Sequence, residues 1–205
     1  MTTGTAPAPT ISLPLAGQVA GFHRWTVAQY HKLAEMGLLT EDDDLELIEG
    51  YLVHKMTRRP PHDDVLNELN VWLVRNLPAA WWLRVQSAIT LSESEPEPDF
   101  AVVQAGSRRY RPRHPGPADI ALVVEVSDSS LDIDRTDKAR IYARANIPVY
   151  WIVNLVEGQV EVYTAPSGPT VDPAYATRQD YRPGDEVPLV LDGAEVARLA
   201  IAAIL

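Results

Sequence analysis

The chain has 205 residues, a net charge of −10, 46% hydrophobic and 22% charged residues, and no cysteine. Such a length and balance fit one globular domain with a sizeable core. The missing cysteines exclude disulfides, thiolate catalysis and cysteine-based zinc sites, and fit a reducing cytoplasm.

Residues 1–20 are rich in Thr, Pro and Ala and carry no positive charge ahead of a weak apolar stretch. They read as a mobile tail rather than a signal peptide. No segment reaches the roughly 18 apolar residues that span a bilayer, so no membrane partner is expected. A single domain then runs over 21–205, with its core about 24–165 and a peripheral extension over 166–205.

Val27, Tyr30, Leu33 and Ala34 recur at helical spacing, with Thr26 as N-cap and Gly37 as stop. Leu45–Ile48 and Tyr51–Val53 flank Glu49-Gly50 and read as a hairpin. Pro60 and Pro61 precede a helix from about His62 to Leu77. Val65, Leu66, Leu69, Trp72 and Leu73 lie on one stripe of it, and Pro78 ends it.

Trp81–Leu91 holds two short strand-like runs, and Ser92–Pro98 is an acidic, proline-bearing link. Phe100–Val103 and Ile120–Val126 are apolar on both faces, as strands in the middle of a covered sheet are. The basic run from Arg108 to His114 between them reads as a solvated loop, with a phosphate grip as the alternative. A helix follows from about Leu131 to Ala145, with Ser129 and Asp132 offering a capping-box-like start. Val149–Asn154 is another buried strand and pairs with Val160–Thr164 across Glu157-Gly158. Peripheral strands and a last short element over Ala194–Leu205 complete the chain. The fold class is α/β (α+β) with a central mixed sheet flanked by helices.

Three residues stand out chemically. Asp99 opens an apolar strand, where aspartate is disfavoured, and shares a face with Ala101 and Val103. Glu125 ends a buried strand, where an uncompensated carboxylate costs several kcal/mol. Lys138 lies on the next helix in the i, i+4, i+8 stripe Asp134, Lys138, Tyr142, which returns against the sheet. Two strand-borne carboxylates suit Mg2+, a hard cation that keeps several waters. A nearby ammonium stabilises phosphate charge or orients the attacking water. That set fits phosphodiester hydrolysis.

The bland readings are a local backbone partner for Asp99, a structural ion pair for Glu125, and an exposed Asp134–Lys138 pair. Ser127 reads as a turn residue before Asp128, with water positioning as the alternative. His62 either caps a helix or sits near the site. Tyr142 and Trp151 read as core. A glycosidase built on paired carboxylates lacks an evident aromatic sugar groove.

An ordered set of segments resembles the Uma2 family of restriction-endonuclease-like proteins with the PD-(D/E)XK nuclease fold. The set comprises Glu46-Leu47-Ile48-Glu49-Gly50, His62, Pro98-Asp99, Leu122 to Ser127, Asp134 with Lys138, Tyr142-Ala143, and Tyr150 to Val153. The resemblance spans about Arg24 to Tyr163. It implies a restriction-endonuclease-like core, Asp99 and Glu125 as ligands of Mg2+ (or Mn2+), and Glu46 as an auxiliary acid. Ser127 stands where the family's usual lysine falls, and Lys138 resembles its displaced replacement. Glu49 replaces a common aspartate. His62, Ser127 and Asp134 are possible auxiliary residues. The implied activity is metal-dependent endonucleolytic hydrolysis of nucleic acid, DNA above all, by a homodimer. The alternative is a non-catalytic metal-binding or protein-interaction module retaining the nuclease fold. A net charge of −10 opposes phosphate binding, although a bound divalent cation offsets part of it.

Overall fold

The computed structural model describes residues 22–106 and 109–205. The expected tail over 1–20 and Arg108 of the basic run lie outside the described residues. Helix α1 (Val27–Glu35) starts where expected: Thr26 Oγ1 accepts from the Gln29 N–H at 3.2 Å, and Gln29 Oε1 accepts from the Thr26 N–H at 2.9 Å. Strands β1 (Leu45–Ile48) and β2 (Tyr51–His54) form an antiparallel hairpin. Its two turn residues, Glu49 and Gly50, both have positive φ (49° and 83°), the backbone that matches strand twist. Gly50 is also required sterically, since a Cβ there would meet Arg24 Cβ at 2.9 Å.

Helix α2 (Pro60–Asn76) begins two residues before the expected start. The first turn of a helix has no use for its N–H groups, so both prolines fit inside it. Six strands follow: β3 (Trp81–Val85), β4 (Phe100–Gln104), β5 (Ile120–Ser127), β6 (Val149–Asn154), β7 (Gln159–Pro166) and β8 (Tyr175–Tyr181). They pair in chain order, with β5 and β6 parallel and all other neighbours antiparallel. Of the two runs expected in Trp81–Leu91 only β3 is a strand, because the chain turns at Gln86 (φ 46°) to reach Asp99.

The β5–β6 crossover is helical but irregular. It comprises α3 (Leu131–Ile133), a π-helical turn (Asp134–Lys138) and α4 (Ala139–Arg144). The expected Ser129–Asp132 start is not formed. Ser130 is the N-cap, makes no side-chain cap bond, and donates its hydroxyl to Asp134 Oδ2 at 2.6 Å. The pull of a buried carboxylate outweighs a cap here.

Two apolar layers sandwich the sheet. Phe100, Val102, Leu122, Val124 and Trp151 pack beneath Val65, Leu69 and Leu73 of α2. The same layer takes Val187, Leu189, Leu191 and Leu199 from a second hairpin, β9 (Glu186–Leu191) and β10 (Ala194–Ala200). The end of the chain is therefore part of the core packing. On the other face Ala101, Val103, Val123, Tyr150 and Ile152 meet Ile141 and Tyr142 of α4. Double coverage explains the unbroken apolar runs of β4, β5 and β6. Among the described residues no helix is long and apolar enough to cross a membrane.

Candidate active site

Strand pleat brings the two central acids together. Phe100 pairs with Val124, so residue 99 falls opposite 125, and both side chains take the face of Ala101 and Val123. The Asp99 N–H points to Glu125 Oε2 at 3.4 Å, and the Val126 N–H donates to Asp99 Oδ2 at 2.8 Å. The crossover then lies across this face. Lys138 Nζ donates to Glu125 Oε1 at 3.0 Å, and Tyr142 Oη donates to the same oxygen at 2.7 Å. Asp134 Oδ1 lies 3.8 Å from Lys138 Nζ and has no hydrogen-bond partner, while Oδ2 accepts from Ser127 and Ser130. The π turn places Asp134, Lys138 and Tyr142 side by side over the strand ends. Turns of this kind recur at functional sites.

The first hairpin supplies the fourth acid. Glu46 Oε1 lies 3.9 Å from Lys138 Nζ, and Oε2 accepts from the Glu97 N–H at 3.1 Å. Its position depends on Glu49, whose buried carboxylate takes Arg140 at 2.6 Å and Arg144 at 2.7 Å. That clamp fastens the hairpin turn to α4. His62, near the start of α2, places Nε2 at 3.2 Å from Asp99 Oδ2, and Gln86 Nε2 donates to Asp99 Oδ1 at 3.2 Å.

Glu46, Asp99, Glu125, Asp134, Lys138 and His62 thus line one cleft. Four carboxylates face one ammonium in a layer closed off from bulk water. Burial pushes the Glu125 carboxyl up to about 8, with Asp134 and Asp99 adding to the effect against the pull of Lys138. Burial raises Asp134 as well. For Lys138 burial acts downward, but Glu125, Glu46 and Asp134 outweigh it and hold the ammonium far into the protonated range. Burial alone would raise Asp99; its hydrogen bonds from His62 and the Val126 N–H outweigh this and hold it below the usual carboxylate range. The hydrogen bond to Asp99 raises His62 in turn. The acids lining the cleft outnumber its lysines and arginines, and Lys138 is shared among three of them.

All seven expected residues meet in this one place. Three readings change. Ser127 is the last residue of β5, fully buried, and donates to Asp134 at 2.7 Å instead of turning the chain. The Asp134–Lys138 pair is buried rather than an exposed helix pair. Tyr142 is core in its ring, but its hydroxyl belongs to the site; its place four residues after Lys138 was the available signal. Gln86 was missed altogether, since a lone glutamine after a strand carries no pattern.

A central mixed sheet between helical layers makes this a domain with a nuclease-like α/β fold. The model of the Uma2 family, described as "Putative restriction endonuclease", matches residues 27–202, and the chain belongs to that family. The crystal structure of "a putative nuclease belonging to DUF820" from Anabaena variabilis ATCC 29413 is similar with a TM-score of 0.64 at 17% identity. The match covers 84% of this chain and 96% of that one. At that identity the likeness is one of fold. No curated protein matches the chain.

Proposed function

We propose that this protein is a Mg2+-dependent (or Mn2+-dependent) endonuclease of the PD-(D/E)XK type that hydrolyses DNA phosphodiester bonds. The observation that carries the reading is one cleft in which Glu46, Glu125 and Asp134 lie within 3.9 Å of Lys138 Nζ and Asp99 lies against Glu125. The donor set fits a hard divalent cation: it is all oxygen, it holds excess negative charge, and one buried oxygen, Asp134 Oδ1, has no hydrogen-bond partner. Among the described residues no three His, Asp or Glu side chains form a ready ligand cage.

Asp99 and Glu125 would hold the ion. When bound, it supplies Lewis-acid polarisation and eases deprotonation of water. Lys138 presents its ammonium to the developing charge on phosphate or to the attacking water. Glu46 orients a water, and Tyr142 and His62 hold Glu125 and Asp99 in place. A homodimer would present two such clefts to the two strands of a duplex.

Plasmid nicking tests the assignment. The protein is expected to nick supercoiled DNA with Mg2+ or Mn2+ and to stop in EDTA. Asp99→Ala and Glu125→Ala are expected to abolish cleavage while circular dichroism shows them folded. Cleavage surviving both changes overturns the assignment. The second reading, a non-catalytic module, is favoured by the net charge of −10. It gains if millimolar Mg2+ and Mn2+ fail to bind by calorimetry and no DNA is nicked.

A further inference from the structure

The groove next to the catalytic cleft contains a cation with no acid partner. Arg84 lies on β3, the edge strand, and pairs in register with Ala101. Its side chain therefore leaves the sheet on the same face as Ala101 and Asp99. Two residues on, about 6.6 Å along the chain, Gln86 donates to Asp99 Oδ1 and accepts from Arg58 Nη1 at 2.9 Å. Arg84 thus stands one step outward from a side chain that touches the site.

Two neighbouring arginines are already committed. Arg109 and Arg113 each bind Asp119 at 2.7 Å. The Arg84 guanidinium instead lies 5.9 Å from the centre of the Tyr110 ring, and its Nε is buried with no hydrogen-bond partner. Among the described residues no carboxylate pairs with it. A buried N–H without an acceptor is an unmet hydrogen bond, and an incoming anion supplies the acceptor.

The groove has a volume of about 1300 Å³ and takes Arg84, Tyr110, Arg111, Arg113 and His114 along its wall. Lys55 and Glu97 line both this groove and the catalytic cleft, so the two adjoin. Two of its acids have partners, Glu95 at 2.7 Å from His31 and Glu97 at 2.9 Å from Lys55, and the third, Glu35, is exposed. The spare charge here is positive, although the chain as a whole is acidic.

We propose that this groove is the track for the DNA phosphate backbone flanking the scissile bond, with Arg84 as its phosphate-binding residue. The proposal rests on the nuclease reading. A planar guanidinium matches a phosphate with two parallel N–H bonds, and a backbone entering the cleft has to continue along this wall.

The test uses the full protein and a fluorescein-labelled DNA duplex. Anisotropy measured in EDTA over a salt series gives binding, and cleavage kinetics in Mg2+ give KM and kcat. Arg84→Gln is expected to weaken binding tenfold or more and to reduce the slope of log K against log salt by about 1. KM should rise with kcat little changed, and melting should stay close to wild type, since the Arg84 side chain is only half-buried and makes no ion pair. Arg84→Lys should recover part of the affinity, keeping charge but not the fork, and is the arm that decides if Arg84→Gln misfolds. A folded Arg84→Gln protein that binds and cuts like wild type overturns the phosphate track and leaves the nuclease reading standing. A wild-type protein that neither binds nor cuts DNA overturns the nuclease reading and the phosphate track with it.

Discussion

Lys138 Nζ lies 3.0 Å from Glu125 Oε1 where both side chains are nearly closed to solvent, with 12% and 5% of their surfaces exposed. The pair is not self-sufficient. The same ammonium also serves Glu46 at 3.9 Å and Asp134 at 3.8 Å, so it is shared among more negative charge than it can neutralise. In a low-dielectric layer that imbalance favours either a bound proton or a bound cation.

Removing the ammonium should expose its role in the reaction. Lys138→Met is expected to lower cleavage roughly 100- to 1000-fold, the usual loss when one preorganised charge is deleted. DNA binding in EDTA should change little, because a proton taken up by the neighbouring acids replaces the lost positive charge. Single-turnover rates on the folded variant check this, and a rate within threefold of wild type would remove Lys138 from the reaction.

The raised Glu125 makes metal-free stability depend on pH. Its folded value of about 8 lies above the unfolded value of a glutamate, about 4.3. Its contribution is therefore fully present below about pH 4.3 and is lost as pH rises through 8. Glu125→Gln cannot titrate. In EDTA, wild type is expected to lose stability relative to Glu125→Gln steadily between pH 5 and pH 8, by an amount of order a few kcal/mol, read from melting curves. Parallel melting curves for the two proteins would contradict the burial argument.

Glu49 anchors the hairpin that carries Glu46. Glu49→Ala leaves Arg140 and Arg144 without their buried partner, apart from Asp137 on Arg140 and the more distant Glu93 near Arg144. Breaking a buried pair in this way costs about 3–5 kcal/mol. Urea denaturation should register that loss, and hydrogen exchange should quicken in residues 45–54 before the rest of the chain. Unchanged exchange there would mean that the hairpin is held by its strand contacts alone.

The last hairpin is expected to behave as core. Leu189 is fully buried against the α2 layer. Leu189→Ala should cost about 2–5 kcal/mol, as a cavity in a packed interior does. A change under about 0.5 kcal/mol by chemical denaturation would mark β9 and β10 as an outer wrap that the rest folds without.

Periodicity and strand hydrophobicity alone were enough to find α1, the first hairpin, α2, the buried strands β4 to β6 and the crossover between β5 and β6. These signals are local: a strand covered on both faces must be apolar throughout, and a helix over it must show a stripe. The same logic picked out Asp99 and Glu125, because a charge inside such a run conflicts with its surroundings. It could not reach Gln86 or Arg84. Nothing in the pattern around them is unusual, and their meaning comes from register between strands distant in sequence. Likewise the π turn, the Glu49 clamp and the packing of the last hairpin exist only once the chain closes on itself. Long-range contacts, unlike helical stripes, leave no period in the sequence to read.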